Sequence, residues 1–262
     1  MSEFGIDVDT SDGVGTVTLR NPARRNAVRF EMWEALPPAM ARLAADRSVR
    51  VVVLRGHGTE AFASGADISE FATRRADPTS AAAYEAVTAR AFEAMLGLPQ
   101  PLLASIHGVC VGGGLAIAAC ADLRLAAADA RLALPAARLG LGYHQSGVER
   151  LVQLVGPSGA AELFFTARTF DAAGALALGL LSRVVPKAEL DAETARTAGM
   201  IAGNAPLTLR AAKRAISESL RPAGTRDTAA VQRLIADCFA SADYAEGVRA
   251  FLEKRPPHFR GE

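Results

Sequence analysis

Residues 108–116, Gly-Val-Cys-Val-Gly-Gly-Gly-Leu-Ala, decide the fold of this chain. The mostly apolar run Leu102–Ile106 precedes them and predicts a strand buried on both faces, and residues 113–121 predict a helix. Residues 102–121 are long enough to span a membrane, but the three glycines favour a strand, a turn and a buried helix, so we predict no membrane insertion. Glycines at a helix start expose N–H groups that can stabilise an oxyanion, or they permit close helix–strand packing.

Strands and helices alternate on both sides of this stretch. Strands are predicted at 14–19, 51–54, 123–126 and 131–134, and helices at 30–43 and 79–96. Pro37 and Pro38 should kink the first helix or delay its start. From Val148 onward every element is predicted helical: 148–155, 157–166, 171–178, 190–202, 206–219, 227–240 and 244–254. The pattern predicts an α/β fold with mainly parallel strand pairing.

The chain is predicted to have two parts, a β-rich core at 1–190 and a helical region at 191–262. An amphipathic helical tail that does not fold back on its own core often packs on a neighbouring subunit. We therefore predict an oligomer that forms through residues 191–262.

The composition excludes several classes of protein. The chain has 262 residues, of which 50% are hydrophobic and 22% are charged, as in ordinary globular proteins. A formal net charge of +1 provides no electrostatic case for nucleic acid as a partner. The three cysteines, Cys110, Cys120 and Cys238, form no CxxC pair, so neither a disulfide framework nor a metal site is predicted. The acidic start of the chain resembles no secretory signal, and we predict a cytoplasmic protein.

Two further segments provide candidate binding groups. Residues 21–28 form a turn with Arg24 and Arg25, which is either a solvated loop or an anion site for a phosphate-bearing ligand. Residues 61–68, Ala-Phe-Ala-Ser-Gly-Ala-Asp-Ile, follow a buried strand. Small residues at the end of a strand let a backbone N–H approach a ligand closely.

A third segment, residues 134–147, contains several glycines and leads into a helix. Its Tyr143, His144 and Gln145 can each act as an acid, a base or a hydrogen-bond partner. Such a cluster in a loop is also commonly structural, so the segment alone does not decide between the two roles.

In their order and spacing, these segments resemble the crotonase superfamily, also called the enoyl-CoA hydratase/isomerase family. The resemblance also includes Cys-Ala-Asp-Leu at 120–123, Ala-Leu-Gly-Leu-Leu at 177–181 and the tail 246–255. It implies a spiral of ββα turns at 1–190, a helical trimerisation region at 191–262, and assembly as a trimer or hexamer. It further implies an acyl-CoA substrate, with coenzyme A as part of that substrate and no other cofactor.

The resemblance also implies the roles of individual residues. The backbone N–H groups of Ala66 and Gly113 would form an oxyanion hole for the thioester carbonyl. The other implied contacts are all with coenzyme A: Arg24, Arg25 and Ala27 at its entrance, Ser64, Asp67 and Ile68 at the adenine and pantetheine, and Phe251 and Lys254 from the C-terminal region.

The chain departs from the family pattern where hydration needs two glutamates. Those positions hold Ala116 and Ala136. A methyl group neither takes nor donates a proton, and loss of one acid–base group typically costs a factor of roughly 10² to 10⁴. Tyr143 and His144 are the candidate replacements, because a histidine changes charge near neutral pH and a tyrosine can donate a proton.

Three functions fit this pattern. The first is an enzyme that stabilises a thioester enolate and catalyses decarboxylation or double-bond isomerisation rather than hydration. The second is an enoyl-CoA hydratase of weak or unusual activity. The third is a non-catalytic acyl-CoA-binding protein that has kept the fold.

Overall fold

A computed structural model describes residues 3–262. The strands in this part of the chain are β1 (Gly5–Ser11), β2 (Val14–Arg20), β3 (Val51–Gly56), β4 (Ala61–Ala63), β5 (Leu102–Ile106), β6 (Val109–Val111), β7 (Leu123–Ala127), β8 (Arg131–Ala133), β9 (Thr169–Asp171) and β10 (Arg183–Val185). The helices are α1 (Phe30–Ala45), α2 (Phe71–Arg74), α3 (Pro78–Leu96), α4 (Gly113–Ala119), α5 (Gln145–Thr166), α6 (Ala172–Ala177), α7 (Leu190–Ala202), α8 (Pro206–Ser219), α9 (Thr228–Ala240) and α10 (Ala242–Leu252).

The strands form two sheets with a repeating connection. The larger sheet has the order β1-β2-β3-β5-β7-β10, and the smaller has the order β4-β6-β8-β9. In each of the pairs β3–β4, β5–β6 and β7–β8, the first strand joins the larger sheet and the second joins the smaller one. Pairing is parallel except for β1 with β2 and β8 with β9, which confirms the mainly parallel α/β fold.

The larger sheet is covered on both faces, as its apolar strands predict. Along β3, Val52 and Leu54 belong to the main core with α1 and α3. Val51 and Val53 face the other way and pack with Leu190 and other residues of α7. This alternation follows from the two-residue period of a strand. Helix α7 begins at the predicted boundary between the two parts of the chain, yet it packs on the sheet of the first part. The division of the chain at residue 190 therefore stays a prediction.

One expectation about secondary structure is wrong, and one of the two effects expected of the prolines is excluded. The region after Val148 is not entirely helical, because β9 pairs with β8 and β10 pairs with β7. Each of these strands has three residues, too few to show a period. The helix at 30–43 is not delayed by its prolines, since α1 begins at Phe30 and contains Pro37 and Pro38. Burial of its apolar face outweighs the local cost of proline.

The predicted break between the two helices at 148–155 and 157–166 is confirmed within α5. Gly156 has φ 71° and ψ 171°, which interrupts the helix immediately before Pro157. A positive φ is open to glycine without steric cost, so the sequence Gly-Pro places the break at this point.

The C-terminal helices leave an apolar face exposed. Phe239 of α9 and Phe251 of α10 are largely exposed, and they line a cavity of about 690 Å³ among α8, α9 and α10. In the described residues no helix is long and apolar enough to cross a membrane. Oligomer formation through this region remains a prediction.

Candidate active site

Two backbone N–H groups converge just after the neighbouring strands β4 and β6 of the smaller sheet. Ala66 follows β4 and forms an isolated β-bridge with Val28. The hydrogen bonds of this bridge involve the Gly65 carbonyl and the Asp67 N–H, and no acceptor within residues 3–262 takes the Ala66 N–H. Gly113 is the first residue of α4, where an N–H has no partner inside the helix. The two groups are neighbours, because a Cβ built on Gly113 would lie 3.2 Å from Ala66 N.

The local conformation explains why these positions are glycine-rich. Gly65 has φ +116° and Gly112 has φ +53°, in the region that side chains disfavour. A Cβ on Gly114 would lie 2.4 Å from the Ala63 carbonyl oxygen, so Gly114 serves the close packing of α4 on β4. Close packing of the helix on the strand, one of the two roles considered for the glycine run, therefore occurs at Gly114, and the oxyanion role of Gly113 stays a prediction.

A cavity of about 100 Å³ lies next to these two N–H groups. Ala66, Gly113, Tyr143 and His144 all line it, so the structure brings together the four residues predicted for catalysis. A smaller cavity of about 40 Å³ adjoins it, and Ala116 and Tyr143 line both. Ala116 thus presents a methyl group where the hydration chemistry needs a carboxylate.

Ala136, at the other predicted glutamate position, lies elsewhere. It is buried in a single 3₁₀ turn, Pro135–Leu139, just before the loop that carries Tyr143. Among the described residues that line the two cavities it does not occur. Neither alanine can transfer a proton, and of the two only Ala116 lines the cavity.

Tyr143 forms a wall between the two cavities. Its ring packs edge-on against Phe164, with 5.0 Å between the ring centroids, and a Cβ on Gly147 would lie 2.7 Å from Tyr143 Cε1. Burial raises the pKa of the Tyr143 hydroxyl well above its usual range. A neutral, tightly packed hydroxyl suits a hydrogen-bond donor better than a group that ionises during turnover.

His144 has a carboxylate partner that the sequence analysis missed. His144 Nε2 lies 3.4 Å from Glu85 Oε2, and the other oxygen of Glu85 lies 3.1 Å from Arg75 Nη2. Glu85 is the only carboxylate among the described residues that line the 100 Å³ cavity. A carboxylate beside a histidine orients the ring, as general acid–base chemistry requires.

A weak signal for Glu85 exists in the sequence. After its first turn, helix α3 is rich in alanine, and Tyr84, Glu85 and Thr88 place polar groups among these alanines. All three of these residues line the cavity. Their spacing alone does not identify the partner of His144, which belongs to a different segment of the chain.

Several residues predicted to bind coenzyme A form one hydrogen-bonded cluster beside Ala66. Arg24 Nη1 donates to Asp67 Oδ1 at 3.0 Å, and Ser64 Oγ donates to the Arg24 carbonyl oxygen at 2.9 Å. The Arg25 carbonyl accepts from the Ser64 N–H at 3.0 Å. This cluster joins the loop after β2, which carries the two arginines, to the loop after β4, which carries Ala66.

The remaining predicted contacts differ in their accessibility. Ile68 is exposed, whereas Ala27 is buried and its carbonyl accepts from Asn21 Nδ2 at 2.8 Å. Phe251 and the exposed Lys254 belong to the C-terminal end of the chain and do not line the 100 Å³ cavity. Contact of any of these residues with coenzyme A stays a prediction.

The similarity of this protein to known proteins extends over nearly the whole chain. Residues 9–262 match the model of the protein family described as Enoyl-CoA hydratase/isomerase. A probable enoyl-CoA hydratase from Mycobacterium bovis is 33% identical over 254 residues, covering 97% of this chain and 97% of that protein. A crotonyl-CoA hydratase from Syntrophomonas wolfei is 30% identical over 259 residues, covering 99% of each.

A solved structure extends this similarity to the fold. An enoyl-CoA hydratase/carnithine racemase from Magnetospirillum magneticum has a TM-score of 0.93 and 38% identity, over 100% of this chain and 97% of that chain. The match in length and in three dimensions confirms both the resemblance and the fold class expected from the sequence.

Proposed function

The chain belongs to the enoyl-CoA hydratase/isomerase family, and from this premise we propose that it transfers a proton on an acyl-CoA thioester through an enolate. The observation that carries the proposal is one cavity lined by the unpaired N–H groups of Ala66 and Gly113 and by the His144–Glu85 pair. The thioester carbonyl accepts from the two N–H groups, and the developing negative charge is stabilised there.

In the proposed reaction, His144 moves the proton. For double-bond isomerisation it removes a proton from one carbon of the acyl chain and returns it to another, while the electron pair passes through the enolate. His144 Nε2 faces Glu85 Oε2 at 3.4 Å, so Nδ1 is the nitrogen that acts as the base, and the carboxylate holds the ring in place between the two steps. Arg75 holds Glu85 on its other oxygen.

Decarboxylation shares this enolate and is the second candidate. The bond to the carboxylate breaks, its electron pair enters the thioester, carbon dioxide leaves, and His144 donates a proton to the α-carbon. The adjoining 40 Å³ cavity favours it, since apolar groups of Phe92, Leu96 and Leu151 line a space beside Ala116. Hydration is disfavoured, because Ala116 supplies no carboxylate to activate water.

We expect the wild-type protein to interconvert 3-butenoyl-CoA and crotonyl-CoA in deuterated water with deuterium entering the acyl chain. Hydration of crotonyl-CoA should be at least about 100-fold slower, because both glutamates are missing. Proton NMR measures the isomer ratio and the deuterium content, malonyl-CoA tests for carbon dioxide release, and absorbance of the conjugated thioester follows hydration.

His144→Ala should abolish the isomerisation or decarboxylation that is found, and His258→Ala is the matched control at an exposed histidine of the C-terminal tail. Rapid wild-type hydration that persists in His144→Ala would contradict the proposal. Absence of binding to any CoA thioester in calorimetry would do so as well.

Glu85→Gln should lower kcat by about 100-fold and leave KM within about twofold, because the carboxylate acts on His144 rather than on the bound thioester. Steady-state kinetics of the isomerisation measures both constants. Glu85→Asp should restore part of kcat, since it keeps the charge. Glu93→Gln is the control on the same helix, because Glu93 is exposed. An equal loss in both Gln variants would show that Glu85 has only a structural role.

A further inference from the structure

A second polar group of the same cavity remains unexplained by the proposed reaction. The Tyr84 side chain is 1% exposed, and its hydroxyl has no hydrogen-bond partner within residues 3–262. The Nε of Arg75, also buried, likewise has no partner among those residues. Both side chains line the 100 Å³ cavity. The buried indole nitrogen of Trp33, in the same lining, has no partner among those residues either. Buried polar atoms are normally hydrogen-bonded, so three unpaired donors at one cavity need an explanation.

The donors of Tyr84 and Arg75 are held next to each other. The Arg75 guanidinium stacks on the Tyr84 ring, with 4.2 Å from Cζ to the ring centroid, and on Phe71 at 4.7 Å. Its Nη2 is engaged by Glu85, which leaves Nε available. Burial raises the pKa of Tyr84 to about 12, so its hydroxyl keeps its proton at neutral pH.

Trp33 places these donors close to the oxyanion hole. Its indole N–H lies beside the Tyr84 hydroxyl and partly offsets the rise that burial causes in the pKa of Tyr84. The two atoms do not form a hydrogen bond of normal geometry. Trp33 Cζ2, which is bonded to the same ring carbon as the indole nitrogen, would lie 3.1 Å from a Cβ on Gly113. One edge of the indole therefore lies beside both Gly113 and the Tyr84 hydroxyl.

The charges around the cavity leave room for an anion. Arg75 and Glu85 compensate each other, so this ion pair leaves no net negative charge to oppose a bound anion. A carboxylate provides two oxygens, one for the Tyr84 O–H and one for the Arg75 Nε–H, whereas an aliphatic chain leaves both donors unpaired. Leaving them unpaired beside a bound ligand costs the full desolvation of each group.

We propose that the cavity binds a short acyl group that ends in a carboxylate, with Tyr84 and Arg75 as the residues that recognise it. The inference rests on the proposed function, because it names the substrate class of that site. The size of the cavity agrees with a short chain, since about 100 Å³ is less than the roughly 150 Å³ that accommodates benzene. A succinyl group, whose thioester carbonyl lies at Ala66 and Gly113, is a member of this class.

The test compares two thioesters of the same shape by isothermal titration calorimetry. Succinyl-CoA carries the carboxylate, 4-methylpentanoyl-CoA has an isopropyl group in its place, and free coenzyme A is the reference. The wild type should bind succinyl-CoA at least about tenfold more tightly than 4-methylpentanoyl-CoA, as expected for hydrogen bonds to a charged group.

Tyr84→Phe removes a single oxygen and should reduce this preference about tenfold, and Arg75→Lys, which keeps the charge beside Glu85, should reduce it similarly. Tyr244→Phe, at an exposed tyrosine of α10, is the matched control and should keep the preference. Tyr84→Phe should melt at the same temperature as the wild type or higher, because an unpaired buried hydroxyl does not stabilise the free protein.

The outcomes separate this inference from the proposed function. Equal affinity of the wild type for the two thioesters overturns the inference and leaves the enolate chemistry standing. A preference that survives in both Tyr84→Phe and Arg75→Lys overturns the assignment of these residues. Failure of all three ligands to bind overturns the proposed function itself.

Discussion

Gly113→Ala should lower the rate of enolate formation by about 100-fold or more. The new Cβ would lie 3.2 Å from Ala66 N and 3.1 Å from Trp33 Cζ2, so a methyl group would occupy the space that the thioester oxygen needs. Removal of one oxyanion donor typically costs a factor of roughly 10² to 10³, and this substitution obstructs two. The rate is measured as exchange of the α-protons of butyryl-CoA in deuterated water.

Gly199→Ala provides the matched control for this result. Gly199 lies in α7, and a Cβ at this position would meet no atom within 4 Å. Alanine favours a helix over glycine by about 1 kcal/mol, so this variant should be as stable as the wild type and fully active. Far-UV circular dichroism checks that Gly113→Ala is folded. A folded Gly113→Ala protein with more than half of the wild-type exchange rate would contradict the oxyanion hole at Ala66 and Gly113.

Gly108→Ala should lower the free energy of unfolding by about 3 kcal/mol or more. Gly108 has φ +53°, and a Cβ there would lie 2.0 Å from the Glu60 carbonyl oxygen, which is backbone and cannot move away by a rotamer change. Strain from a left-handed residue and from overpacking each costs roughly 1–3 kcal/mol. Urea unfolding measures the loss as a lower midpoint at an unchanged slope.

Gly58→Ala separates the two causes. Gly58 has a comparable φ of +71°, but a Cβ at this position would meet nothing within 4 Å. Only the conformational strain remains, so the loss should be about 1 kcal/mol. Similar losses in the two variants would show that the contact between Gly108 and Glu60 does not limit the packing of β4 against β6.

The secondary structure predicted from the sequence is correct where a local pattern is long. The apolar strands β3 and β5 and the helices α3 and α8 are evident from runs and periods that extend over many neighbouring residues. Prediction failed at β9 and β10, whose three residues contain no period and which exist because β8 and β7 offer them an edge. The helix predicted from residue 30 is confirmed as α1, and of the two effects expected of its prolines a delayed start is excluded, since the packing of that helix outweighs its local preference.

The site divides in the same way. The candidates Ala66, Gly113, Tyr143 and His144 come from short motifs, and the structure places all four around one cavity. Glu85 could not be assigned from the sequence, because an acidic residue on a half-exposed helix is usually solvated. Its role depends on how α3 packs beside the loop that precedes α5.

The sequence by itself determined which chemical groups this protein has, above all the methyl groups of Ala116 and Ala136 where hydration needs carboxylates. Side-chain chemistry is a local property, so no fold can restore a missing acid or base. Only the tertiary structure decided which groups meet. His144 is distant along the chain from Tyr84 and Glu85, which are neighbours on α3. The three share a cavity because α3 packs against α1 and lies beside the loop that precedes α5.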